Sequence, residues 1–330
     1  MEKESLIEKK EHKRLFKFIK ITITTLLMIT LFLLYSRFIS TSGIDVKEYK
    51  VIANTEYDFN NIKVVHISDI HYGRTTNKKQ LEYMVNKINE TKPDLVVFTG
   101  DLIDKDTKLT ENIKKELTET LQKINSKLGK YAIKGDHDYK FSEFDKIITD
   151  AGFTNLTDTY DLIYNQSNIP LMIVGFNSNL KSDNLIENKN NLVNEAIKDI
   201  KYSYKILLLH EPDYIDEIDY STYNLILAGH SHGGQIRLPF GNSLINKNKA
   251  KKYTNEKYVL NNTTLFVSYG IGTSNISFRL FNKPSFFRRS DNIMVWYIPL
   301  TIPFLYYLVI VPLSQLIYGP HYSVKNGAVL

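Results

Sequence analysis

Aspartate and histidine recur at short spacings in five stretches: Asp69-Ile70-His71, Gly100-Asp101, Gly135-Asp136-His137-Asp138, His210-Glu211 and Gly229-His230-Ser231-His232. Of the 8 histidines, only His12, His66 and His321 lie outside them. Carboxylates and neutral imidazoles together suit borderline divalent metals such as Mn, Fe, Co and Zn. Asp-x-His and His-x-His spacings project two ligands to the same side of an extended segment. One such pair is weak evidence. A whole series in order, each member closing an apolar run, points to a metal centre rather than to scattered solvated carboxylates and core histidines. Gly100, Gly135 and Gly229 permit sharp turns or close backbone approach beside the candidate ligands. His66 lies within an apolar run and is expected in the core or behind the site.

Those groups need strands that end where they begin. Apolar, strand-like runs cover Ile62–Ile67, Leu95–Thr99, Tyr131–Lys134, Leu171–Phe176, Ile206–Leu209, Leu225–Ala228 and Leu265–Tyr269. Amphipathic helix-like runs separate some of them, at Lys78–Glu90, Glu111–Asn125 and Asn184–Asp199. The alternation predicts a layered α/β domain over 62–291. Ligand-binding groups of such sheets belong at the carboxyl ends of strands.

The 330 residues include no cysteine, which excludes disulfide scaffolds, thiolate metal sites and cysteine nucleophiles. The net charge of +6 is too mild to indicate a nucleic-acid partner. Residues 1–40 read as a basic tail and a transmembrane anchor. Ile21–Ser36 carries no charge, and Lys9, Lys10, Lys13, Arg14, Lys17 and Lys20 precede it. This arrangement predicts a cytoplasmic N-terminus, with the bulk of the chain at the cell membrane on the extracytoplasmic side. A signal peptide cleaved near Ser40-Thr41-Ser42 and a buried core helix are the alternatives. Residues 41–61 read as a linker. The apolar C-terminal segment 292–330 is long enough for a second crossing, but Arg279, Lys283, Arg288 and Arg289 precede it on the supposed outer side, against the positive-inside rule.

The series D-x-H, G-D, G-x-H-D, H and G-H-x-H resembles that of the calcineurin-like metallophosphoesterases, from about Ile62 to Arg279. The stretches GHSHGGQIRLPF (229–240) and LFVSYGIGTSNISFRL (265–280) are similar to the membrane-associated or exported bacterial branch of that family, YkuE/YaeI-like. The resemblance implies a four-layer αββα sandwich with two divalent metal ions, Mn, Zn or Fe, between the sheets. It implies that Asp69, His71 and His232 hold one metal and Asp136, His210 and His230 the other. Asp101 then bridges both, and His137 is the catalytic histidine that binds no metal. The family usually has Asn where this chain has Asp136, so one further carboxylate lowers the positive charge of the centre.

The chemistry so implied is attack on phosphorus by a metal-bridging hydroxide, with His137 stabilising or protonating the leaving group. Asp138 is expected either to orient His137 or a ligand, or to be a solvated loop carboxylate. The expected activity is that of a membrane-anchored phosphodiesterase. A phosphomonoesterase, or a pyrophosphohydrolase acting on a lipid-linked or cell-envelope substrate, is the alternative within the enzymes. A non-catalytic metal- or phospholipid-binding surface protein is the alternative outside them. Asn246–Lys257 could meet anionic headgroups, although a solvated loop is the plainer reading of its charge. No Walker A, G-x-S-x-G or G-x-G-x-x-G sequence occurs.

Overall fold

The computed structural model describes residues 2–51, 55–177, 185–238, 243–244 and 246–289. The apolar segment 292–330 expected near the membrane lies outside them. The chain divides into two units, with the boundary between Leu33 and Leu34.

The first unit contains helix α1 (Glu2–Leu34). The stretch Lys9–Ile39, 31 residues, is long and apolar enough to cross a membrane. Among the described residues, Ile23, Leu26, Leu27 and Leu31 are exposed, unlike the apolar face of a core helix. Thr22 and Thr30 turn their hydroxyls back onto the carbonyls of Phe18 and Leu26, satisfying polar atoms within the helix itself.

The second unit is built on two six-stranded sheets. The first has the order β1 (Asp45–Tyr49), β12 (Ser285–Arg289), β2 (Val64–Ile67), β3 (Leu95–Phe98), β4 (Lys130–Ala132) and β5 (Thr154–Asn155). The second has the order β10 (Lys257–Leu260), β11 (Thr263–Val267), β9 (Leu225–Ala228), β8 (Tyr204–Leu208), β7 (Leu171–Gly175) and β6 (Thr159–Ile163). The site-bearing strands run parallel to their neighbours, β2 with β3 and β4, and β8 with β9. Their carboxyl ends therefore open on one edge of each sheet.

Side-chain alternation sorts these strands into layers. Val64, Leu95 and Val97 of the first sheet share a core with Leu171, Ile173, Ile206, Leu208, Leu225 and Leu227 of the second. The intervening Val65, Ile67, Val96 and Phe98 face the other way. They pack on α2 (Lys78–Glu90), α3 (Glu111–Gln122) and α4 (Phe144–Asp150) through Leu81, Met84, Leu117, Leu121 and Ile147. Met172, Val174 and Leu207 meet α5 (Leu185–Ile197) through Ile186 and Ile197. The result is the αββα sandwich expected from the sequence. Strands buried on both faces are nearly continuous apolar runs, broken here only by His66 in β2 and Lys205 in β8, which is why the apolar pattern found them. A reciprocal cap sets the start of α2: Asn77 accepts the Gln80 amide proton at 3.1 Å, and Gln80 accepts that of Asn77 at 2.9 Å.

Two readings change. The stretch 41–61, expected to be a linker, contributes β1, which lies parallel to β12 and extends the first sheet. Its partner is about 240 residues away in sequence, so no local pattern announces the pairing. Arg279 and Arg288 are not a free basic flank. Arg279 is fully buried, and Arg288 is paired with Glu48 at 2.5 Å within the sheet. These two charges are held by the domain itself, so they carry no weight on which side the following segment lies.

Candidate dinuclear metal centre

The Asp and His residues of the five stretches follow the carboxyl ends of β2, β3, β4, β8 and β9. Candidate ligand atoms of Asp69, His71 and His232 lie within 4.8 Å of one another, and so do those of Asp101, Asp136, His210 and His230. Asp101 joins the two groups: its Oδ2 is 3.4 Å from Nε2 of His71 and 3.4 Å from Nε2 of His210. All of these except Asp136 are buried. Asp136 is the open lip of the site, its side chain 41% exposed, with Oδ1 3.1 Å from both His210 Nε2 and His230 Nδ1.

The backbone holds these side chains in an unusual way. Asp69, His71, Asp101, His230 and His232 all have positive φ, between 45° and 62°. Each sits just after a strand and turns sharply, a left-handed geometry that L-residues other than glycine avoid. Cross-strand bonds hold the turns. Asp69 donates its amide to Gly100 O at 2.9 Å and His71 to Asp101 O at 3.0 Å, while the His230 amide donates to the Asp69 carboxylate at 3.0 Å. Close approach also explains two glycines. A Cβ on Gly135 would stand 2.3 Å from Asp101 Oδ1, and one on Gly229 would stand 2.7 Å from Asp69 Oδ2.

A layer of outer contacts aims the imidazoles. His210 donates from Nδ1 to Thr99 O at 2.6 Å, which turns Nε2 toward Asp101 and Asp136. His230 donates from Nε2 to Asn248 O at 2.9 Å, which turns Nδ1 toward Asp136. Such bonds to the far nitrogen are how ligating histidines are usually oriented. His66, expected in the core or behind the site, is buried, and its Nε2 meets Thr99 Oγ1 at 2.9 Å, directly behind the Thr99–His210 contact.

Asp138 resolves in favour of orientation. Its carboxylate is fully buried and accepts the amides of Asp101 at 2.8 Å, Leu102 at 2.9 Å and Gly135 at 3.0 Å. It thereby fixes the turn that carries Asp101. His137 donates its amide to Asp101 Oδ1 at 2.9 Å, and its ring Nδ1 accepts the Lys105 amide proton at 3.2 Å. A neutral His137 therefore carries its ring proton on Nε2, on the side of Asp136 Oδ2, 4.0 Å away.

The electrostatics follow from burial and proximity. Burial pushes the Asp101 carboxyl up, but His210 and His71 outweigh it and hold the group down to about 2. Burial also works against the Asp136 carboxylate, and its contacts with His210 and His230 hold it well below the usual carboxylate range. Burial, with neighbouring positive charge adding to it, pushes His232 and His230 down, toward the neutral form a metal requires.

Two residues near the site gave no signal as single letters. Asp104 is buried, 3.6 Å from His71 Nδ1, and is clamped by Arg74 at 2.8 Å. Its spacing in Gly100-Asp101-Leu102-Ile103-Asp104 is the only local hint. Arg279 lies behind His232, with Nη2 bonded to the carbonyls of Tyr269, Gly270 and Gly272.

Paired sheets whose strand ends converge Asp and His into two touching ligand groups are suited to a dinuclear metallohydrolase. The chain belongs to the calcineurin-like phosphoesterases, whose family profile matches residues 62–234. The metallophosphoesterase YkuE of Bacillus subtilis is 30% identical over 255 residues, covering 76% of this chain and 86% of its own length. UDP-2,3-diacylglucosamine pyrophosphatase LpxG of Chlamydia muridarum is 25% identical over 232 residues, covering 56% of this chain and 69% of its own. A transmembrane protein with a metallophosphoesterase domain from Danio rerio is 26% identical over 186 residues, covering 54% of this chain and 41% of its own.

Proposed function

We propose that this chain is a membrane-anchored phosphodiesterase that works with two divalent ions, Mn, Zn or Fe, with its catalytic domain on the extracytoplasmic side. The observation that carries the metal reading is Asp101 Oδ2. It is buried, has no hydrogen-bond partner among the described residues, and faces one imidazole nitrogen from each ligand group. A desolvated carboxylate oxygen without a partner is costly, and a shared cation removes that cost. His71 Nε2 and His232 Nε2 also face each other at 3.0 Å, a geometry that two lone pairs tolerate only around a proton or a cation.

Asp69, His71 and His232 would hold one ion, Asp136, His210 and His230 the other, and Asp101 both. When bound, the pair of ions polarises phosphoryl oxygens and lowers the pKa of water. The chain does the rest. Asp138 holds the Asp101 turn rigid, Asn248 and Thr99 aim the imidazoles, and His137 presents its Nε2 proton to the phosphoryl or leaving-group oxygen. Because the Lys105 amide occupies Nδ1, His137 acts as a neutral N–H donor rather than by cycling through imidazolium.

The decisive assay uses the full chain in detergent, stripped by a chelator and reloaded separately with Mn, Zn, Fe or Mg. Hydrolysis of an activated diester is expected to return with at least one ion. Two ions bound without turnover on diesters, monoesters or diphosphates would favour the non-catalytic class. A second reading, cleavage of a diphosphate on a lipid-linked substrate, is supported by the likeness to LpxG and by α1. Turnover confined to diphosphates would select it.

The orientation rests on the six basic residues from Lys9 to Lys20 that precede the apolar run. Protease added to right-side-out vesicles is expected to digest the domain. Full protection would reverse the orientation, and a soluble product starting near Gly43 would show cleavage instead.

A further inference from the structure

The apolar span does not stop at the edge of the second unit. Lys9–Ile39 is long and apolar enough to cross a membrane, and its last residues, from Leu34, belong to that unit, where Tyr35–Ile39 form a π-helical turn. Ser36 and Ser40 are buried, and Ser36 O accepts the Arg279 amide proton at 3.1 Å. Thr41 and Ser42 close the turn, their hydroxyls donating to the carbonyls of Arg37 at 2.6 Å and Ile39 at 2.7 Å. No spacer separates the end of the span from the folded unit.

Arg279 ties this turn to a lobe formed by residues 235–238 and 274–280. Gln235 holds the two stretches together: its Nε2 donates to Ile276 O at 2.6 Å and Phe278 O at 2.9 Å, and its amide donates to His232 O at 2.9 Å. Leu244 joins them by donating its amide to Ile236 O at 2.8 Å. Lys105, whose amide occupies His137 Nδ1, reaches Asn275 Oδ1 with its Nζ at 3.2 Å. The lobe is thus bonded to the His232 turn, to the residue behind His137 and to the end of the span. It also carries exposed apolar side chains. Phe38, Ile39, Leu238, Leu244 and Ile276 are between 40% and 62% exposed. Among the described residues of the second unit, apart from Leu34 in the span, the other exposed large aliphatic or phenylalanine side chains are Leu192 and Val259. Single exposed apolar residues are ordinary, but a set gathered beside one another marks a surface that meets something apolar.

We propose that Leu238, Leu244 and Ile276 dip into the headgroup region of the bilayer that α1 crosses, so that the metal centre works at the membrane surface. The inference rests on the anchor reading above and adds to it a second contact with the bilayer, made by the lobe beside the site. Continuity identifies the occupant. Phe38 and Ile39 close the span and are exposed, so the lipid around them lies next to the lobe bonded to Ser36. Arg37 stands between Ser36 and Phe38, with a stem long enough to keep its charge among the headgroups. A few shallowly inserted side chains bind a membrane weakly by themselves, but they suffice where an anchor already holds the domain at the surface. A phosphoester displayed by the same bilayer then reaches the centre without leaving the membrane surface.

The chain has no cysteine, so single labels can be placed without background. The full chain is reconstituted in vesicles of phosphatidylcholine and phosphatidylglycerol, with a fluorophore attached in turn to Leu238→Cys, Leu244→Cys and Ile276→Cys. Leu27→Cys marks the span, and Leu192→Cys and Val259→Cys are exposed positions away from the lobe. Lipid-borne nitroxide is expected to quench the three lobe labels and the Leu27 label at least about three-fold more strongly than the Leu192 and Val259 labels, as for side chains set shallowly in the interface. Adding Ile276→Asp should reduce the quenching at Leu238 and Leu244. Lobe labels quenched no more than those at Leu192 and Val259, beside a quenched Leu27 label, would overturn the membrane contact and leave the anchor reading standing. An unquenched Leu27 label would remove anchor and contact together. Lobe labels shielded from a soluble quencher but untouched by lipid-borne nitroxide would show that a protein surface, a second copy or another chain, covers the lobe, and would overturn the proposal too.

Discussion

Replacing Asp101 with Asn is expected to take metal content well below two ions per chain and to lower hydrolysis by roughly a thousand-fold or more. The argument is geometric. Among the described residues, Asp101 Oδ2 is the only candidate atom within 3.4 Å of an imidazole nitrogen from each ligand group, and it is fully buried. An amide at that position removes the shared negative charge and, if its NH2 takes the Oδ2 position, points protons at His71 and His210. Metal assistance is worth several kcal/mol to a phosphoryl transition state, and about 4 kcal/mol corresponds to the thousand-fold loss. The fold should survive, because Asn can still accept the His137 amide proton through Oδ1, the 2.9 Å bond made by Asp101. Elemental analysis beside a thermal melt checks both halves. Two tightly held ions in a folded, active Asp101→Asn protein would show that the carboxylate is not shared.

The second large effect is expected at His137 and should have the opposite metal signature. His137→Ala should keep two ions and lose about 100-fold or more in hydrolysis, the usual worth of one hydrogen-bond donor aimed at developing negative charge. Geometry alone leaves a rival, because ligand atoms of His71, Asp101 and His137 also lie within 4.8 Å of one another. The Lys105 amide occupies Nδ1 of the ring and leaves Nε2 protonated, which suits a donor and not a ligand. His137→Gln retains an N–H donor on a flexible stem and should recover part of the loss. Loss of an ion from His137→Ala would move this residue into the ligand set.

The sequence exposed most of what positions the site because the relevant signals are local. The run 95–99 is a fully buried parallel strand and has to be apolar, so Leu95–Phe98 could be read directly. The Asp and His residues follow such runs immediately, and their spacing carries their chemistry. What stayed hidden is contributed across the fold. Strand β12 (Ser285–Arg289) has an unremarkable composition, and its partners are set by sheet closure. Helix α4, only 7 residues long, is too short for a helical period to show. Asp138 stood undecided between orienting residue and solvated carboxylate until the amides it accepts were in view.

The left-handed turns at Asp69, His71, Asp101, His230 and His232 carry an energetic consequence. Each costs roughly 1 kcal/mol relative to a relaxed backbone. Together that is on the order of 5 kcal/mol, comparable with the net stability of many whole domains. The bonds that Asp69 and Asp101 accept from the His230 and His137 amides offset part of it. A cation held by these five residues would bind the folded chain where its backbone is least relaxed, so the melting temperature should rise with metal loading.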